Sequence, residues 1–138
     1  MVNVLRESGA SELAAAGRIT LDGPTSHPNE VLARSSALVI SSLYGETSPL
    51  VGAEAAGNGV PVITSDIGNC RQFVDDPRFA VPAGDRVALA AAMLNYARMS
   101  DAERRALSQS ARKRAEKMYS PERVAQSYRA EFAELVSQ

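Results

Sequence analysis

Gly45–Asn69 reads GETSPLVGAEAAGNGVPVITSDIGN, and its punctuation decides the fold. Ser48 is a natural N-cap, and Pro49 suits a first helical position, where its missing N–H leaves nothing unsatisfied. The residues from Pro49 to about Asn58 then predict a helix. Gly59 suits the left-handed position that ends one. Val60–Thr64 predicts a buried strand, with Pro61 tolerable near its start, and Ser65–Asn69 a loop. A helix feeding directly into an apolar strand is the repeating unit of an α/β sheet.

Working outward, Ala37–Ile40 is an apolar run that predicts a strand entering Ser41-Ser42, followed by the loop Leu43–Thr47. Upstream, residues 1–16 are helix-compatible with a weak apolar stripe. Arg18–Leu21 predicts a short strand, stopped by the turn signal Asp22-Gly23-Pro24, and Glu30–Ser36 a helix. Downstream, Arg71–Val74 predicts a helical turn and Phe79–Val81 a last short strand. Beyond it the pattern is helical. Asp85 caps a helix whose Leu89, Ala92, Met93 and Tyr96 share one face. Ser100-Asp101-Ala102-Glu103 has the form of a capping box. Ser120-Pro121 opens a final helix whose Val124, Tyr128, Phe132 and Leu135 predict a stripe packed on the core. The alternation implies a Rossmann-like, three-layer parallel sheet followed by helices. One domain is expected, with an α/β portion over residues 1–84 and a helical portion over 85–138.

Composition narrows the function. Fifteen Lys and Arg stand against sixteen Asp and Glu, a balance that argues against nucleic acid as a partner. Arg112-Lys113-Arg114 with Lys117 reads as a solvated helix face. The single cysteine, Cys70, excludes an intramolecular disulfide and a cysteine-rich zinc site, and no neighbouring base marks it as an activated thiolate. The single histidine, His27, lies in a turn without a partner for metal binding or catalysis, so no metal is expected. With no secretory signal and no long apolar segment, the chain reads as cytoplasmic.

Chemistry concentrates at the opening stretch. In a parallel α/β sheet, ligands sit at the carboxyl ends of strands. Two loops gather there, Ser41–Ser48 and Ser65–Asn69. The helix beginning at Ser48/Pro49 aims N–H groups of Leu50, Val51 and Gly52 at that crevice, an anion site worth about half a positive charge. Glu54, inside the helix, is placed to reach vicinal hydroxyls. Glu46, beside the opening, would be repelled by a phosphate, so its fitting partners are the neutral hydroxyls of a sugar. The spacing itself carries no weight: ten Glu in the chain give about one pair eight apart by chance.

The surrounding blocks do carry weight. Leu38-Val39-Ile40-Ser41-Ser42, Gly45-Glu46-Thr47-Ser48-Pro49-Leu50-Val51, Glu54-Ala55, Gly59-Val60-Pro61-Val62, Ser65-Asp66-Ile67-Gly68 and Val81-Pro82-Ala83-Gly84-Asp85 occur in an order and spacing that resembles the carboxyl-terminal half of group 1 (family 4) glycosyltransferases of the GT-B fold. Ser120-Pro121-Glu122-Arg123 through Leu135 is similar to the family's terminal helix. The resemblance implies transfer of a sugar from a nucleotide sugar, usually with retention of configuration. Glu46 matches the first acid of the family's E-x7-E motif, the catalytic-site acid that contacts the donor sugar. Glu54 matches the second, which holds the ribose. Glu46, Thr47, Ser48, Pro49, Leu50 and Val51 match the loop that approaches the sugar and diphosphate. The chain departs from the pattern at Ser48 (usually a large residue), at Ala56 (usually Met) and at Gly57-Asn58.

The resemblance also implies parts that these residues do not include: an acceptor domain and an Arg/Lys pair facing the diphosphate. A diphosphate carries about two negative charges against the half charge of a helix start. Arg34 and Arg71 are the local cations, both expected to face solvent. The expectation is therefore a truncated donor-binding half, inactive or nearly so alone. It would take a nucleotide sugar as substrate, with no cofactor, while a glycan, lipid-linked or other acceptor is held by the missing amino-terminal domain. The full-length enzyme would be cytoplasmic, with peripheral attachment to the membrane. A reading from another class is a non-catalytic α/β module that self-associates or binds a partner through the exposed sheet edge at Ala37–Ile40.

Overall fold

A computed structural model describes residues 10–137. Gly59 shows why the sequence turns where it does. It adopts φ 70° and ends helix α3 (Leu50–Gly57). Its N–H donates to Ala56 O (2.9 Å) and that of Val60 to Ala55 O (2.8 Å), the paired bonds of a Schellman motif. Strand β2 (Val62–Ser65) begins two residues later and is buried along its whole length.

β2 is the middle of a three-stranded parallel sheet. It pairs with β1 (Leu38–Ile40), Val39 lying opposite Ile63. On its other side it pairs with β3 (Ala80–Val81), Ser65 lying opposite Val81. Its successive side chains Val62 and Ile63 point into two different apolar layers, as on a strand covered on both faces, while Thr64 and Ser65 are buried polar residues. Val62 packs with Leu32, Ile40, Ala55 and Phe73 on the face of α3. Ile63 packs with Phe79, Val81, Ala92 and Tyr96 on the face of helix α4 (Arg86–Arg98). The three-layer α/β expectation holds.

Several local readings also hold. Helix α1 (Ala10–Ala15) falls within the helix-compatible segment, whose first nine residues lie outside the described ones. Helix α2 (Pro28–Ala33) begins two residues before the predicted start. A 3-10 turn spans Cys70–Phe73, and a second, Pro77–Phe79, leads into β3. Asp85 accepts from Ala88 N at the start of α4. Ser100 and Glu103 form both halves of the capping box that opens α5 (Asp101–Tyr119). Of the predicted α4 face, Ala92 and Tyr96 are buried, whereas Met93 is exposed.

Four expectations are corrected. Arg18–Leu21 is not a strand. Gly17 takes φ 68°, and the N–H groups of Arg18 and Ile19 return to Leu13 O at 2.8 and 3.3 Å. The segment is spent closing α1, and no described strand pairs with it. Ser48 is not the N-cap of α3: Pro49 takes that place with no side-chain capping bond, because the Ser48 hydroxyl accepts from Gln72 Nε2 at 2.9 Å. The basic run is not uniformly solvated. Arg114 turns inward and pairs with Asp75 at 2.9 Å. The apolar stripe of α6 (Pro121–Val136) covers no core, since the helix has no buried residue. Helical spacing fixed the helix but not what lies against it.

α3 is clamped from two sides. Ala56 meets Ala111 and Ala115 of α5, all buried, so small side chains let the two helices approach closely. Gly52 faces the Phe73 ring: a Cβ there would lie 2.6 Å from both Cγ and Cδ2. Gly52→Ala is expected to destabilise by roughly 1–2 kcal/mol, overpacking outweighing the gain in helix propensity. Urea unfolding checks it, and a stabilised variant would disprove the contact.

Candidate functional site

The carboxyl ends of β1 and β2 open into two loops, and the structure locks them together. Asn69 N donates to Thr47 O at 2.7 Å. Gly68, at φ 51°, runs so close to the first loop that a Cβ would lie 2.2 Å from Glu46 O and 3.0 Å from Thr47 O. The Gln72–Ser48 bond adds a third tie. Backbone-to-backbone contact of this kind sets loop positions more firmly than side-chain contact does, since no rotamer change can relieve it.

Glu46 is half-buried in this joint and accepts from Ser42 Oγ at 2.8 Å, which fixes its orientation. Glu54 is exposed on α3, and its side chain has no protein hydrogen-bond partner among the described residues. One acid is held by a neighbouring hydroxyl and the other stands in solvent. Leu50 is exposed at the helix start, while Val51 packs into the Leu32–Ile40 layer, so Val51 has only its backbone to offer. With Pro49 as N-cap and no capping side chain, the N–H groups of Leu50 and Val51 are left to other partners, but that of Gly52, expected to join them, returns to Pro49 O at 3.0 Å. The joint thus gathers Glu46, Thr47, Ser48 and the start of α3, with Glu54 further along that helix.

Asp66 and Arg71 stand at the same end. Arg71 donates to Asp66 Oδ2 at 2.7 Å, an exposed pair of modest worth. Arg34 follows α2 and precedes β1, so it lies toward the opposite, amino end of the strands. It donates to Glu30 O. Arg71 is therefore the cation at the joint. Cys70 is fully buried beneath it. Burial pushes the thiol up from its usual range, against the lowering effect of a hydrogen bond with Thr64, and the charges of Glu46 and Asp66 push it up further. A neutral thiol at pH 7 is no nucleophile. Among the described residues, no group of three His, Cys, Asp or Glu side chains is placed to hold a metal. His27 sits 3.8 Å from Glu30 on the exposed start of α2, away from these loops.

Ser42, Gly68 and Gln72 act at this site without having been singled out for it in the sequence. Ser42 is visible as the second polar residue beyond the apolar run Ala37–Ile40, at the strand end from which ligands are approached. Gln72 meets Ser48 across twenty-four residues, and no local signal announces that.

Parallel strands with crossover helices, and an acid held at the carboxyl ends of those strands beside a helix start without a capping side chain, define an α/β protein. The family model for Glycosyl transferases group 1 matches residues 4–98, and the chain belongs to that family. Neither the curated proteins nor the solved structures contain a match. The family places the protein among transferases acting on sugars. No helix among the described residues is long and apolar enough to cross a membrane.

Proposed function

We propose that this chain is the donor-binding half of a glycosyltransferase. It takes a nucleotide sugar and passes the sugar, with retention of configuration and as a hexosyl group, to an acceptor held by a separate domain. Glu46 contacts the donor sugar and is the catalytic-site acid. Glu54 receives the ribose hydroxyls. The backbone of Thr47, Ser48, Pro49, Leu50 and Val51 borders the sugar and diphosphate. Neither a metal nor a cofactor takes part.

The observation that carries this reading is the locked joint of the two loops. It holds Glu46 by its Ser42 bond and leaves the start of α3 uncapped. The two acids then divide by charge logic. A fixed carboxylate repels a phosphate but accepts hydrogen bonds from sugar hydroxyls, whereas the helix N-terminus favours the anion. Diphosphate charge is only partly met by α3 and Arg71, and leaving-group stabilisation is commonly the largest catalytic effect. Transfer by this chain alone is therefore expected to be slow at best.

Calorimetric titration with a panel of nucleotide sugars tests the proposal. Glu54→Gln should weaken nucleotide binding by about tenfold, the loss of one or two charge-assisted hydrogen bonds. Glu46→Gln should change nucleotide affinity little but remove most transfer when the acceptor-binding part is supplied. Ser42→Ala should follow Glu46→Gln in direction at smaller size. No measurable binding of any nucleotide sugar, or equal and negligible effects of both Glu substitutions, would overturn it.

A further inference from the structure

Gly57-Asn58-Gly59 stands apart from the pattern of the surrounding blocks, and Asn58 is the one asparagine of the sequence followed by glycine. That pairing favours a particular reaction. The Gly59 main-chain nitrogen attacks Cγ of the Asn58 side chain and the Cγ–Nδ2 bond breaks. Ammonia leaves, carrying the proton of the Gly59 N–H, and a five-membered imide remains. Water then opens the imide at Cγ, giving aspartate, or at the main-chain carbonyl, giving isoaspartate. Glycine on the attacking side has no side chain to obstruct the approach and the backbone freedom to make it.

We propose that Asn58 is a deamidation site which the folded end of α3 holds closed and which local opening of that end exposes. Four contacts and one torsion hold it. Asn58 has φ −79° and ψ −1°, so the Gly59 nitrogen eclipses the Asn58 nitrogen instead of facing Cγ, and ring closure needs rotation about ψ. The Gly59 N–H is engaged by Ala56 O at 2.9 Å. The leaving amide is tethered, Nδ2 donating to Glu54 O at 2.9 Å and to Asn29 Oδ1 at 3.2 Å. From α5, Arg112 Nη2 donates to Asn58 O at 3.2 Å. Packing adds to this, since Ser108 Oγ lies 3.0 Å from where a Cβ on Gly59 would be. Rotation of the Asn58–Gly59 peptide breaks the bond to Ala56 and pulls the carbonyl off Arg112. Opening the last turn alone is enough. Helix ends open locally at low free energy, and Gly57 in the same turn favours that opening.

Neither product fits the place where it forms. Aspartate at this position sets a negative charge at the negative end of α3, one turn from Glu54, and loses the donor that binds Glu54 O and Asn29. Isoaspartate lengthens the main chain by one carbon, which displaces Gly59 and Val60 from the paired bonds that end the helix. Either product loosens the turn beyond Glu54, so the modification reaches the ribose side of the proposed donor site. That consequence rests on the role given to Glu54; the reaction does not.

Peptide mapping by mass spectrometry tests it, on the whole chain held at mildly alkaline pH in water enriched in oxygen-18. In denaturing urea, Asn58 should be the first asparagine to convert, with isoaspartate in excess. In the folded chain its conversion should be slower by about tenfold or more, as for a segment open less than a tenth of the time. That rate should rise with urea well below the unfolding transition, less steeply than global unfolding does. Asn29→Ala removes one tether and leaves Asn58-Gly59 intact, so it should raise the folded rate without changing the unfolded one. Equal rates in the folded and unfolded chain overturn the proposal, as does an intact Asn58 in denaturing urea. A folded rate that stays flat until the whole chain unfolds overturns local opening as the release. Asn58→Asp installs the product directly and should lower nucleotide-sugar affinity at least about twofold, the scale of a like charge one turn away. Unchanged affinity overturns the link to Glu54. The conversion rates are read without ligand, so a chain that binds no nucleotide sugar sinks the donor reading while these rates still decide the modification.

Discussion

Replacing Arg114 by alanine is expected to remove about 3 kcal/mol of stability, the scale for breaking a buried ion pair from one side. The Arg114 and Asp75 side chains are only 17% and 8% exposed. The pairing is bidentate, Nη1 to Oδ1 at 2.9 Å and Nη2 to Oδ2 at 3.0 Å. Arg114 also donates to Phe73 O. Alanine would leave the carboxylate with Ser110 Oγ, at 2.9 Å, as its one remaining donor among the described residues, and would take the Arg114 donor from the Phe73 carbonyl. Chemical denaturation gives the number directly. A loss below about 1 kcal/mol would mean that water reaches the pair and screens it as at an open surface.

The pair need not be a net gain to be costly to break. Arg114 Nε is buried without a partner, and both ions left water to meet. A double replacement, Arg114→Met with Asp75→Leu, is therefore expected to recover most of the loss. The pair has a second consequence through position. Asp75 follows the 3-10 turn that carries Arg71 and Gln72, and Gln72 holds Ser48. Arg114 thus ties α5 to the turn that braces the acid joint. Its loss should loosen ligand binding as well as the fold.

How much of this was legible in the sequence depends on the distance over which each feature is decided. Gly59, Asp85 and the Ser100–Glu103 box could be read directly, because helix ends are satisfied by residues within one turn. β2 was legible because Val60–Ile63 is a short apolar run directly after the helix-ending Gly59, as a strand buried on both faces tends to show, although its second half is the buried polar pair Thr64 and Ser65. Ser48 misled because its hydroxyl serves a residue in a later turn. Arg18–Leu21 misled because Gly17 claims its N–H groups for the end of α1. Arg114 lay unnoticed in a basic run, since its partner is thirty-nine residues away. The stripe of α6 was visible as a period, yet a period says only that one face is apolar. At the candidate site, the two Glu are singled out by the blocks around them. What holds the loop of Glu46 was not, because a close backbone approach leaves no mark beyond a glycine.

That glycine carries the second large effect. Gly68→Ala is expected to destabilise by roughly 2–3 kcal/mol, about 1–2 from forcing a side chain into the left-handed region and about 1 from a lost backbone hydrogen bond. The new Cβ would sit 2.2 Å from Glu46 O. Both neighbours are backbone, so the loops must separate, and the Asn69–Thr47 bond at 2.7 Å goes with them. Gly45→Ala is the matched control. Gly45 also has positive φ, 82°, but no atom within 4 Å of an added Cβ, so it incurs the backbone strain without the collision. The excess loss in Gly68→Ala over Gly45→Ala isolates the close approach. If the two cost the same, the loops are not held at contact distance. If the joint orients Glu46 as argued, Gly68→Ala should also depress sugar transfer more than nucleotide binding, because Glu54 stands on α3, outside the displaced segment.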